Sequence, residues 1–181
     1  MRIEIVFETH SISTDNERGI ATGWLDGELS EEGRRLAHEL GERRCDDGID
    51  AVYTSDLRRA VETAEIAFAG SGIPVYRDVR LRECDYGELN GAPAAEVAAQ
   101  RSRRVDEPFP GGESYRQAVE RVRSFLAELA PTYDQARVLV IGHGATRFAL
   151  DHLVNGRSLE ELVDEQFEWQ EGWLYVLTAR P

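Results

Sequence analysis

Residues 2–7, RIEIVF, form a short apolar run rich in branched side chains and predict a first strand. From Thr9 to Leu29 the chain is polar, contains glycine and keeps no period. A loop that long inside a compact domain usually carries function. Ser30 offers an N-cap for a helix to about Arg44, with Leu36, Ala37 and Leu40 on one face. IDAVYT (49–54) predicts a second strand, Ser55 is placed to cap a helix through Phe68, and IPVYRD (73–78) predicts a third strand. Between about Arg80 and Gly112 only a short helix near 93–103 interrupts irregular sequence. Gly111-Gly112 then precedes a long amphipathic helix to about Leu129, in which Ala118, Val122, Phe125, Leu126 and Leu129 recur at helical spacing. ARVLVIG (136–142) is continuously apolar, as a strand buried on both faces is. Helices from about Ala145 to Leu153 and near 158–163 follow, and FEWQ and WLYVLTA around Glu171-Gly172 predict a terminal hairpin.

Strands alternating with helices predict one α/β domain over 1–181, a three-layer α/β/α sandwich with a mostly parallel central sheet. Sites in such sheets lie beyond the carboxyl ends of the strands. With 181 residues, 41% of them hydrophobic and 30% charged, the chain is long enough for one full core and has an ordinary globular balance. The net charge of −13 disfavours nucleic-acid and membrane-surface partners, so a small phosphorylated or anionic metabolite would need a local basic pocket. All 21 basic residues are arginine, which reads as genomic base composition before it reads as chemistry. Cys45 and Cys84 form no CxxC pair or disulfide framework, and no targeting leader or long apolar span is visible. A cytoplasmic protein is expected; whether it forms a homodimer is open.

Two of the four histidines stand just past predicted strands, His10 after RIEIVFET and His143 after RVLVIG, and both would emerge on one sheet edge. His38 and His152 fall inside helical patterns, as surface or packing residues do. A third strand end delivers Ser55, Arg58 and Arg59 at the start of a helix. Arginine is electrostatically wrong for a helix N-terminus unless it faces an anion that the helix also attracts. Adjacent helical residues point about 100° apart, so only one of the two can face a pocket.

On these residues the chain resembles the histidine phosphatase superfamily of phosphoglycerate mutases and related phosphatases. THSISTDN (9–16) stands where the family has Arg-His-Gly-x-Thr-x-x-Asn, with His10 and Asn16 in register. ATGWLDGELSEEGRRLA (21–37), SDLRRAVETA (55–64), RLRECDYGELNG (80–91), PGGES (110–114) and VIGHGATR (140–147) match further family segments in order. The resemblance implies a phosphoglycerate mutase-like fold and prefers Arg59 to Arg58. It also implies catalysis through a phosphohistidine on His10, with Arg59 and a protonated His143 stabilising the phosphoryl group. Glu83 is implied as general acid and base, while Thr9, Ser11, Asn16, Thr22, Gly23, Tyr86 and Gly144 are implied around phosphate and substrate. No metal and no cofactor is implied. The mutases are longer, so a compact phosphatase is the nearer comparison.

The chain departs from the pattern at Thr9, where the family has arginine, and at Ser11, where it has glycine. The Thr9 and Ser11 hydroxyls could donate neutral hydrogen bonds, and Arg18 could restore the charge. Three function classes follow: a phosphomonoester hydrolase, a non-catalytic binder of an anionic metabolite, and an enzyme repurposed for acid–base chemistry without phosphate. Specificity would come from the irregular segments 14–29 and 84–112.

Overall fold

A computed structural model describes residues 2–178. The first half contains β1 (Arg2–Thr9), α1 (Thr14–Glu17), β2 (Ile20–Ala21), α2 (Glu31–Arg44), β3 (Ala51–Thr54), α3 (Arg58–Ala67) and β4 (Val75–Arg77). The second contains β5 (Ala92–Pro93), α4 (Ala94–Ala98), α5 (Tyr115–Thr132), β6 (Arg137–Gly142), α6 (Gly144–Asn155), α7 (Leu159–Asp164) and β7 (Trp173–Thr178). Five strands make the central sheet in the order β4-β3-β6-β1-β7. β1, β3, β4 and β6 run parallel, while β7 lies antiparallel beside β1.

The alternation of strand side chains divides the core between the two faces. Ile3, Ile5 and Phe7 of β1 join Val138 and Val140 of β6 against Val122 and Phe125 of α5 and Phe148 of α6. On the opposite face Val6, Val52, Leu139 and Ile141 meet Leu40 of α2 and Ala60 and Ala64 of α3. Each large side chain so buried contributes about 1.5–3 kcal/mol. This is the expected α/β sandwich with a mostly parallel sheet.

The helix starts follow the local chemistry. Ser30 and Ser114 each accept a backbone N–H of the first turn, from Gly33 and Gln117. The predicted hairpin does not form: 167–170 is irregular, and β7 pairs with β1, which supplies the ladder its upstream segment was expected to supply. Ser55 does not cap α3, which starts at Arg58 with Leu57 in the cap position. The Ser55 hydroxyl accepts only a long bond from the Leu57 N–H, at 3.4 Å, and has its shorter partner elsewhere.

Candidate active site

The strand order β3-β6-β1 decides what meets at the carboxyl edge. β6 is central, so His143, the residue after it, stands between Ser55 beyond β3 and His10 beyond β1. The His10 N–H extends the ladder by one bond to the Gly142 carbonyl at 2.9 Å. The two imidazole centroids are 5.1 Å apart. His10 Nδ1 lies 2.7 Å from the Ser11 carbonyl. A carbonyl can only accept, so Nδ1 carries the proton and Nε2 keeps its lone pair.

His143 is buried between two partners: Ser55 Oγ is 2.6 Å from Nε2, and Arg59 Nη2 is 3.4 Å from Nδ1. A guanidinium can only donate, which assigns the His143 proton to Nε2 and to the Ser55 hydroxyl. Burial first, then the Arg59 charge, holds the His10 imidazole down at about 3. The same causes, with His10 itself, push His143 well below the usual histidine range. His143, expected as a cation, is therefore neutral in the free site.

Arg59 is 3% exposed and donates to the Gly23 carbonyl at 2.8 Å and, more weakly, to the Leu25 carbonyl. Among the described residues no carboxylate reaches ion-pair distance of it. Burial lowers its pKa, the sign of a desolvated cation. Arg58, one residue earlier, points to Glu28 at 2.8 Å on the exposed side. The two arginines divide as helical geometry requires.

The Glu83 carboxylate sits at the start of α6. Its Oε1 accepts the Cys84 and Ala145 N–H groups at 2.8 and 3.0 Å, and its Oε2 accepts the Gly144 N–H at 3.1 Å. Glu83, His10, His143, Gly144, Thr9 and Asn16 share one cavity of about 550 Å³. Ser11 lines it too, but its hydroxyl donates to the Gly33 carbonyl at 2.6 Å and its N–H to Thr63 Oγ1 at 2.9 Å. Asn16 Oδ1 accepts the Ser13 N–H in a capping box, which leaves the Asn16 amide N–H groups to face a ligand.

Other expected residues stand behind the cavity. The Thr22 hydroxyl donates to Asp15 at 2.8 Å, and Gly23 contributes its carbonyl to Arg59. Tyr86 packs edge-on against Phe109 and lines a smaller space of about 60 Å³ with Arg101 and Arg147, which shares Glu83, Gly144 and Phe167 with the cavity. Burial pushes its phenol well above the ordinary range. Arg18 is exposed at the end of α1 and is not among the cavity walls. Among the described residues no group of three or more His, Cys, Asp or Glu side chains could hold a metal ion.

The sequence matches the profile of the histidine phosphatase superfamily, branch 1, over residues 5–180. The chain belongs to the histidine phosphatase superfamily. Relatives in it include a 2,3-bisphosphoglycerate-dependent phosphoglycerate mutase 2 of Latilactobacillus sakei, 32% identical over 96% of this chain and 93% of the relative. Among solved structures, YhfR of Bacillus stearothermophilus superposes with a TM-score of 0.84 over 98% of this chain and 92% of its own, at 24% identity, and so shares the fold. A mycobacterial glucosyl-3-phosphoglycerate phosphatase in complex with VO3 gives 0.78 at 27% identity, over 90% and 85%. Superfamily members named as phosphatases and as mutases are thus both similar to this chain.

Sequence reasoning did not single out one wall of the cavity. Glu8, Leu36, Leu40, Arg43, Phe167 and Trp169 line it beside His10. Glu8 is 1% exposed and sits between Arg44 at 2.8 Å and Arg43 at 3.2 Å. A carboxylate inside the apolar β1 run was the available signal.

Proposed function

We propose that this chain is a metal-independent phosphomonoester hydrolase working through a phosphohistidine on His10. The observation that carries this reading is a pair of neutral imidazoles lining an open cavity, with Arg59, a buried cation that has no carboxylate at ion-pair distance among the described residues, directly behind His143. A buried unpaired charge costs several kcal/mol, and an anionic ligand offsets that cost.

His10 Nε2 attacks phosphorus, forming the N–P bond as the ester P–O bond breaks. The Nδ1–H bond to the Ser11 carbonyl holds the ring orientation and stabilises the positive charge the ring gains. Negative charge on the equatorial oxygens meets Arg59, the Asn16 amide and His143. The arriving negative charge raises the His143 pKa, against what burial and Arg59 do in the free site. As general acid, Glu83 passes a proton from Oε2, the oxygen with a single N–H bond, to the leaving oxygen. It then takes a proton from water as the water oxygen attacks phosphorus and the N–P bond breaks. Alcohol and inorganic phosphate leave.

The test follows p-nitrophenol release from p-nitrophenyl phosphate by wild type and His10→Ala between pH 5 and 8. Turnover that vanishes in the variant, with a labelled acid-labile phosphohistidine trapped in wild type, is the expected outcome. Saturable phosphate binding without turnover would instead make the protein a binder, the reading that Thr9 at the arginine position favours.

A further inference from the structure

Beside the histidines, part of the cavity wall is of a different kind. Phe167 is 53% exposed and Trp169 59%. With Ile12, also exposed, they rim this one cavity, and Leu36 and Leu40 continue the apolar wall inward. Exposed large apolar side chains gathered at a concave site mark ligand contact rather than chance.

The segment that carries the two aromatics is tied at both ends. Glu165 pairs with Arg157. At the other end Arg44 Nη2 donates to the Glu171 carbonyl at 2.9 Å while binding the buried Glu8 at 2.8 Å. Gly172 passes so close to this cluster, at φ +82°, that a Cβ there would lie 2.4 Å from Arg44 Nη2. Arg43, the other partner of Glu8, lies 5.8 Å from the Trp169 ring centroid. Glu8 therefore joins the end of β1, the end of α2 and the aromatic segment beside the nucleophile.

Charge decides what can lie there. Glu8 is matched by Arg43 and Arg44, and Asp47 by Arg44 and Arg137, so each arginine of this cluster is already held by a carboxylate. Glu39 and Glu171 add carboxylates at the rim. Among the described residues Arg43 is the one arginine in the cavity walls and Glu8 holds it, while Arg59 stands behind His143 at the phosphoryl end and Arg101 lies beyond Glu83 on the other side of Phe167.

We infer that the alcohol part of the substrate is a flat apolar group without a second negative charge, packed against Phe167, Trp169, Ile12 and Leu36. The inference rests on the hydrolase reading above and adds its substrate class. A volume of about 550 Å³ accommodates a phosphoryl group and an aromatic ring together.

Unreactive phosphonates test it independently of turnover. Benzylphosphonate, methylphosphonate and phosphonoacetate are titrated into the full-length wild type by calorimetry. Benzylphosphonate binds at least about ten-fold tighter than methylphosphonate, the discrimination a hydrophobic pocket typically provides. Phosphonoacetate binds no tighter than methylphosphonate. The Phe167→Ala/Trp169→Ala double variant loses most of the benzyl advantage, and Trp169→Phe retains it; both positions are more than half exposed, and thermal midpoints check the fold. Equal affinity for the benzyl and methyl compounds overturns the inference, as does an advantage that survives the double variant. Preference for phosphonoacetate also overturns it and points to Arg101 beyond Glu83. If His10-dependent turnover fails while the benzyl preference holds, the hydrolase reading falls and the apolar subsite stands.

Discussion

Lowering the pH from 7.5 to 5 charges a histidine in the unfolded chain but leaves His10 neutral in the native state, where burial and Arg59 hold it at about 3. The unfolded state then binds more protons than the native state, so stability falls as pH falls. The stabilising contribution is complete above the unfolded value of about 6.5 and is lost progressively down toward 3. Each pH unit in that window is worth about 1.4 kcal/mol, so His10 alone removes about 2 kcal/mol between pH 7.5 and pH 5. His143, depressed for the same reasons, adds to the loss in the same direction. Urea unfolding of wild type and His10→Asn at the two pH values measures this directly. The variant should lose about 2 kcal/mol less than wild type on acidification. Equal losses would refute the claim that His10 is held neutral, and with it the basis for treating its Nε2 as a free lone pair near neutral pH.

Two further predictions concern the floor of the cavity and its support. Thr9→Arg places a guanidinium beside His10, where a charge-assisted hydrogen bond is worth roughly 1.5–3 kcal/mol; the KM for p-nitrophenyl phosphate should fall about ten-fold or more, and steady-state kinetics that show a rise would place the Thr9 side chain away from the phosphoryl group. Gly33→Ala puts a Cβ 1.9 Å from the Ile12 carbonyl, a backbone atom that moves only with the loop carrying His10. A loss of about 1–3 kcal/mol in urea unfolding, together with lower kcat, is expected.

Much of the site was legible because its residues follow strands. His10 and His143 stand just past two apolar runs, and parallel strands deliver their carboxyl ends to one edge. The choice of Arg59 over Arg58 needed only the 100° step of a helix once the register was set. Ser55 shows where local pattern fails. A serine before a helix reads as a cap, but the strand order brought His143 within 2.6 Å, and the imidazole rather than the first turn of α3 is the hydroxyl's close partner. Thr22 and Gly23 match a motif, yet their side of the chain turns toward Asp15 and Arg59 rather than the cavity.

By itself the sequence determined the α/β class, the strand ends that carry the histidines, and the helix that carries Arg59. Periodicity and capping act over neighbouring residues and are written locally. The charge state of the two imidazoles, the pairing of β7 with β1, and the role of Glu8 were decided only by tertiary structure. Desolvation depends on what packs around a group, and Glu8 meets Arg43, Arg44 and the Trp169 segment only after α2 and the chain end fold back onto β1.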